Sequence, residues 1–214
     1  MRALPEETRD GVVATKRKPV FHKDIFVCVA VLAAIALVAG VLLGGLNYLT
    51  YVDPNAAIAG EVAGIYGVGE DKVVADSSLA VNPDGASSKV LNAFRITADD
   101  GSTRGVAYYV SGSGAYSGTV ELVVCVEEGK VTAVSVYEHS ETASIGGKVL
   151  EEENLARFVG TDLSEITDYG SSGANDAKES DIYVSGATRT TRAILNAVRA
   201  VAYAWNTRSA EGTL

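Results

Sequence analysis

The apolar residues of this chain form one long run near its beginning and shorter periodic patterns over the rest of its length. No residue from Ile25 to Leu46 carries a charge. At about 1.5 Å per residue, a helix of this length reaches roughly 33 Å, which matches the hydrocarbon thickness of a bilayer. A cleaved signal peptide would have a shorter apolar region and a small-residue cleavage site, which Leu46-Asn47-Tyr48-Leu49 does not offer. We therefore predict one uncleaved transmembrane helix over residues 25–46.

Several later segments have the β-branched and aromatic content of strands. Two of them flank Glu127-Glu128-Gly129, in which glycine is available for the turn of an antiparallel hairpin. The predicted strands are Arg95–Thr97, Gly105–Val110, Thr119–Val126 and Lys130–Tyr137.

Two segments have helical patterns. The first runs from about Gly147 to Val159, and the second from Thr191 to Trp205. In the second, apolar residues fall on one face at a period of 3.6 residues: Ile194, Val198, Val201 and Trp205. Trp205 is therefore expected in the core. The predicted fold class is α+β, with a small antiparallel or mixed sheet and packed helices after the transmembrane helix.

The composition divides the chain into four predicted parts. Residues 1–24 are an amino-terminal segment, 25–46 the transmembrane helix, 47–88 a linker with a short helix and loops, and 89–214 a folded domain. Within that domain, 161–180 is polar and rich in Ser and Gly, and is predicted to be a long loop.

Charge predicts the orientation in the membrane. Residues 1–24 hold six Lys/Arg and four Asp/Glu, with the cluster Lys16-Arg17-Lys18 close before the apolar run. The amino terminus is therefore expected in the cytoplasm and the domain on the other side of an inner or plasma membrane. The remaining residues hold 12 Lys/Arg and 23 Asp/Glu, a net charge of −11. That charge argues against nucleic acid and against docking on anionic headgroups.

Cysteine and histidine limit the chemistry further. Cys28 lies in the apolar run and Cys125 in an apolar strand, so no disulfide is expected and Cys125 is expected to be inert. His22 and His139 are predicted on opposite sides of the membrane, and no cluster has metal-ligand spacing. We predict no metal site.

The most informative short segment is Ser185-Gly186-Ala187-Thr188, between the strand-like Asp181–Val184 and the last helix. Free backbone amides and the helix dipole make a helix start suitable for an anion such as phosphate. Ser185 is predicted as the N-cap, with the amides around Ala187 to Thr190 left for the phosphate. Thr190 and Thr191 would add hydroxyl donors, and Arg189 and Arg192 would offset the charge. The alternative is an ordinary helix cap with no ligand.

Three blocks give this segment a family context. They are Ser185-Gly186-Ala187-Thr188-Arg189-Thr190, His139-Ser140-Glu141-Thr142-Ala143-Ser144-Ile145-Gly146 and Gly114-Ala115-Tyr116-Ser117-Gly118. In order and spacing they resemble the covalent FMN-binding domain family over about residues 89–205. That family is found in the G subunit of the Rnf electron-transport complex and the C subunit of the sodium-pumping NADH:quinone reductase.

The resemblance implies that Thr188 holds FMN through a phosphodiester, which a separate flavin transferase makes from FAD. The remaining residues implied in cofactor binding are Ser185, Gly186, Ala187, Thr190, Thr191, Glu141 and Thr142. This chain departs from the family at Ile182, where the transferase motif usually has Asp, and at Ala143-Ser144, which replaces Pro-Gly.

For two sets of residues the sequence leaves alternatives open. His139, Glu141 and Thr142 form either a hydrogen-bonded turn after a strand or part of the pocket. Tyr116 is either a packed aromatic, which is the more common case, or a side chain that stacks on the flavin.

The implied function is electron relay rather than catalysis by the domain itself. The resemblance favours a subunit of an Rnf-type ion-translocating ferredoxin:NAD oxidoreductase, whose partners are other integral subunits, the flavin transferase and the membrane. One alternative is a free-standing flavinylated electron-transfer protein outside the cytoplasm, or a subunit like that of the quinone reductase. Another is a non-redox, membrane-anchored binding domain.

Overall fold

A computed structural model describes residues 22–51, 53–170 and 173–214. The chain divides into two units, Met1–Tyr51 and Val52–Leu214. Most of the predicted amino-terminal segment, residues 1–21, lies outside the described residues.

The described part of the first unit is the helix α1 (His22–Thr50). It extends four residues beyond the end predicted from the uncharged run. Among the described residues there is one helical segment, beginning at Ile25 of α1, whose length and apolar composition are sufficient to cross a membrane. Its large side chains, such as Leu37 and Leu43, are exposed. Apolar side chains all around a helix are expected where lipid surrounds it.

The second unit is built on a five-stranded antiparallel sheet in the order β1-β2-β3-β4-β5. The strands are β1 (Val73–Ala75), β2 (Lys89–Thr97), β3 (Thr103–Ser113), β4 (Thr119–Glu127) and β5 (Lys130–His139). The predicted hairpin is confirmed: β4 and β5 pair directly, and the two residues between them, Glu128 and Gly129, both have positive φ. This is the backbone of a two-residue hairpin turn. With the helices given below, the α+β fold class is confirmed.

The helix α5 (Thr188–Ala210) covers one face of the sheet. It contains the predicted segment 191–205 and begins three residues earlier. Ile194, Val198 and Val201 are buried against alternate residues of β3 and β4, including Tyr108 and Leu122. Trp205 is only half-buried and packs at the margin of this core.

The helix α2 (Pro54–Tyr66) packs on the opposite face of the sheet. It begins where Oδ1 of Asp53 accepts a 2.9 Å hydrogen bond from the Asn55 amide, followed by Pro54 in the first turn. Its buried side chains, Ile58 and Val62 among them, contact the sheet residues that point away from α5. The structure therefore differs from the predicted linker over 47–88, because α2 and β1 are integral parts of the second unit.

The structure corrects three further local predictions. The segment 147–159 is not one helix: a 3₁₀ turn (Gly146–Leu150), α3 (Glu152–Leu155) and a second 3₁₀ turn (Ala156–Phe158) follow each other, because Glu151 has extended backbone angles. The predicted loop 161–180 contains a 3₁₀ turn (Leu163–Glu165) and α4 (Ala174–Glu179).

The third correction concerns Asp181–Val184, which is not a strand. These residues form a turn in which Ile182 is buried in the core beneath α5 and Val184 packs against it. The apolar residues of this segment are buried as single side chains and do not pair in the sheet. The turn leads directly into the start of α5.

Candidate functional site

The amino-terminal end of α5 has no side-chain cap. Ala187 occupies the N-cap position, so the prediction that Ser185 caps the helix is wrong. Among the described residues, no acceptor pairs with the backbone amides of Thr188, Arg189 or Thr190. Three free N–H groups and the positive end of the helix dipole therefore lie together.

The three threonines of this first turn differ in what their hydroxyl groups do. The Thr190 hydroxyl donates to Oε2 of Glu141 over 2.8 Å, and the Thr191 hydroxyl donates to the Ala187 carbonyl over 3.2 Å. Both side chains are buried. Thr188 is half-exposed, and its hydroxyl makes no hydrogen bond within the described residues. Of the three, Thr188 is the one whose oxygen is available for chemistry.

A cavity of about 540 Å³ opens beside this turn. Its walls come from the β3–β4 turn, the loop after β5 and the start of α5. The lining residues are Tyr116, Glu141, Thr142, Ile145, Gly146, Gly186, Ala187, Thr188, Arg189 and Thr190. Six of the eight residues predicted to bind a cofactor are in this set. Ser185 and Thr191 are not, since Ser185 precedes the cavity wall and Thr191 is buried within the helix.

Glu141 ties the walls of the cavity together. Its Oε1 accepts hydrogen bonds from the amides of Tyr116 (2.8 Å) and Ser117 (3.0 Å), and its Oε2 accepts the one from Thr190. Its own amide donates to Nδ1 of His139 over 3.2 Å. Glu141 is therefore part of a hydrogen-bonded turn and also lines the cavity.

Gly146 is required by this arrangement, because a Cβ atom there would lie 2.2 Å from Oε2 of Glu141 and 2.6 Å from Oγ1 of Thr190. Gly146 ends one of the three motif blocks but is not among the predicted site residues. Its steric role depends on a residue 44 positions later in the chain, Thr190. Sequence spacing does not reveal such a contact.

The β3–β4 turn is also held from α5. Arg192 donates from Nη2 to the Gly114 carbonyl over 3.0 Å, and Asn196 donates to the Ser113 carbonyl over 2.9 Å. Arg192 was predicted to offset phosphate charge, but its guanidinium is used to fix this turn. Arg189 is the arginine that lines the cavity.

The mouth of the cavity exposes an aromatic and an aliphatic side chain. Tyr116 is 78% exposed and Ile145 is 54% exposed. The Arg189 guanidinium lies 5.8 Å from the Tyr116 ring centroid, a cation–π contact. The expectation that Tyr116 is a packed aromatic is therefore wrong, while Ile145 is a lining residue that sequence reasoning missed.

Comparison with known proteins relates part of the domain to a family. Residues 115–202 match the family model of the FMN-binding domain. This part of the chain is similar to the FMN-binding domain family. The match includes the turn of Tyr116, the loop of Glu141 and the first turn of α5, which are the three walls of the cavity. The family supports FMN as the ligand of this FMN-binding domain.

Two known proteins resemble larger parts of the chain. The G subunit of the ion-translocating oxidoreductase complex of Aliivibrio fischeri is 28% identical over 138 residues, which cover 62% of this chain and 64% of that protein. The chain thus aligns with less than two thirds of the relative's length. The crystal structure of Shewanella oneidensis NqrC covers 63% of this chain and 71% of its own, with 25% identity and a TM-score of 0.44.

Proposed function

We propose that this protein carries FMN covalently on Thr188 and is the electron-transfer subunit of an Rnf-type ion-translocating oxidoreductase complex in a bacterial membrane. The observation that carries this proposal is the Thr188 hydroxyl at the start of α5, which makes no hydrogen bond within the described residues. It lies beside three unpaired amides and lines the cavity of a domain similar to FMN-binding domains.

The residues at this end of α5 fit a phosphate diester. The amides of Thr188, Arg189 and Thr190 are donors without acceptors among the described residues, and the helix dipole favours negative charge there. Arg189 adds a positive charge at the cavity wall. Gly186, with φ of +86°, has open space where a Cβ would lie, so no side chain obstructs the approach to Thr188.

The cavity also suits the remainder of FMN in size and polarity. Its volume of about 540 Å³ falls within the range of roughly 300–1,000 Å³ that is usual for pockets of small-molecule ligands. Tyr116 and Ile145 provide apolar surface at its mouth, while Thr188 and the free amides are at its polar end. An amphipathic ligand with a phosphate at one end suits this arrangement.

Attachment requires a co-substrate that supplies the flavin and its phosphate together. With FAD and a separate flavin transferase, a bond forms between Oγ of Thr188 and the phosphorus of the FMN half. The bond from that phosphorus to the bridging oxygen breaks, AMP leaves, and the hydroxyl proton passes to a base of the transferase. The exposure of Ser185 and Gly186 keeps this segment accessible to such an enzyme.

Bound FMN would supply the transfer of electrons singly or in pairs. The chain's own contribution is to hold that group beside the membrane, with α1 as the anchor and the second unit on the outer side. The basic cluster before α1 supports this orientation. The similarity to a subunit of an ion-translocating oxidoreductase complex supports assembly with other integral subunits.

Covalent attachment is tested by expressing the chain with and without a flavin transferase and examining denatured protein on a gel. We expect flavin fluorescence in the band only with the transferase, its loss in Thr188→Val, and its retention in Thr188→Ser, which keeps a hydroxyl. Equal fluorescence in Thr188→Val would place the linkage on another residue. A wild-type band without fluorescence would support the non-redox binding domain instead.

Membership of a complex needs a separate test. The tagged chain is purified from its native membrane in a mild detergent and separated by native electrophoresis. We expect it to migrate in one assembly with other integral proteins and with flavin fluorescence. Migration of the fluorescent chain alone would favour a free-standing flavinylated protein.

A further inference from the structure

Glu141 has an unusual set of partners for a carboxylate inside a ligand cavity. It is 9% exposed, and its two oxygens bind different walls: Oε1 accepts from the amides of Tyr116 and Ser117, and Oε2 accepts from the Thr190 hydroxyl. One side chain thus fixes the spacing between the β3–β4 turn and the first turn of α5.

The three donors to Glu141 are electrically neutral. Among the described residues, no lysine, arginine or histidine forms an ion pair with this carboxylate. Arg192, one helical turn from Thr188, donates to the Gly114 carbonyl, and Arg189 lies at the Tyr116 ring. The hydrogen bonds give both carboxylate oxygens a partner, but none of these donors brings a positive charge to Glu141.

We propose that Glu141 is a positioning residue for the flavin, which holds the Tyr116 turn against α5 and places a negative charge in the cavity that lowers the cofactor's reduction potential. This inference rests on the proposed function. Reduction adds negative charge to the cavity, and a nearby carboxylate in a partly desolvated site makes that addition less favourable.

Two substitutions separate the positioning role from the charge. In Glu141→Gln the amide oxygen accepts from the Tyr116 and Ser117 amides, and the amide nitrogen donates to the Thr190 oxygen, so the contacts persist while the charge is lost. In Glu141→Ala both are lost. Glu128→Gln is the matched charge control, because Glu128 is exposed in the β4–β5 turn, at the other end of β4 from the β3–β4 turn.

The positioning role is measured without flavin, in a Thr188→Val background. Hydrogen exchange of the Tyr116 and Ser117 amides is followed by mass spectrometry or NMR. We expect Glu141→Ala to speed their exchange by about tenfold or more, since both amides lose their hydrogen-bond acceptor. Glu141→Gln is expected to stay within a few-fold of the parent.

The effect of the Glu141 charge on the flavin's reduction potential is measured in the flavinylated proteins by spectroelectrochemical titration. We expect a higher reduction potential in Glu141→Gln than in wild type, and no change in Glu128→Gln. An unchanged potential in Glu141→Gln overturns the electrostatic role, and unchanged amide exchange in Glu141→Ala overturns the positioning role. If the wild-type chain takes up no flavin, the proposed function fails, while the exchange experiment still decides whether Glu141 holds the turn.

Discussion

The Thr190 hydroxyl donates a 2.8 Å hydrogen bond to Oε2 of Glu141, 49 residues earlier in the chain, and both side chains are buried. This bond joins the loop after β5 to the start of α5. It also explains why two threonines that are neighbours in the motif are not equivalent: Thr190 is used to build the cavity, and Thr188 is left free within it.

Gly146→Ala is expected to disrupt this bond. The new Cβ would lie 2.2 Å from the Glu141 carboxylate and 2.6 Å from the Thr190 hydroxyl, so one of them must move. We expect a loss of about 1–3 kcal/mol in the free energy of unfolding, as for other overpacked sites, together with reduced flavin attachment. Chemical denaturation and in-gel fluorescence measure the two effects.

Gly147→Ala is the control for that prediction. A Cβ at Gly147 would meet its nearest atom, the Thr142 carbonyl oxygen, at 3.5 Å, which is an ordinary contact. Stability and attachment should remain close to wild type. Equal losses in the two variants would show that the Gly146 contact is not the cause.

Thr190→Val is expected to leave Oε2 of Glu141 without its donor. Removing one partner from a buried carboxylate costs about 1–3 kcal/mol, and the cost should appear as a lower free energy of unfolding. Thr190→Ser retains the hydroxyl and should recover most of it. Thr188 is untouched, so flavin should still attach at that residue, but in a smaller amount in Thr190→Val, because this variant loses the same bond as Gly146→Ala. A Thr190→Val protein with wild-type stability would contradict the account of this bond.

Cys125 is predicted to be unreactive in the folded domain. It is fully buried between the sheet and α2, and burial raises the pKa of its thiol to about 12, with the Glu61 carboxylate adding to the effect. Since the thiolate is the reactive form, alkylation at pH 8 should be very slow when folded and fast in denaturant, where the thiol pKa returns to about 8.5. Mass spectrometry of a Cys28→Ser variant measures both rates, and comparable rates would refute the prediction.

Local patterns were sufficient to predict much of the fold. The hairpin of β4 and β5 and the buried face of α5 each depend on residues a few positions apart, so periodicity and the turn at Gly129 identify them. The position of Thr188 at the start of a helix is likewise indicated by residues close to it in the chain.

Long-range contacts account for what the sequence did not reveal. The packing of α2 on the sheet converts a predicted linker into part of the domain. Ile182 is buried in a turn where the pattern predicts a strand, and the N-cap of α5 is Ala187 instead of Ser185. The bonds from Glu141 to Tyr116, Ser117 and Thr190 depend on three segments meeting, and no spacing within one segment indicates them.

The central claim is that Thr188 carries the cofactor, and peptide mapping of protein from its native membrane tests it most directly. Trypsin cleavage after Lys178, Arg189 and Arg192 separates Thr188 from Thr190 and Thr191, which fall on the following peptide. The account predicts that the peptide Glu179–Arg189 gains the mass of one FMN less one water, and that fragmentation assigns the gain to Thr188. An unmodified Glu179–Arg189 peptide throughout the sample would contradict it.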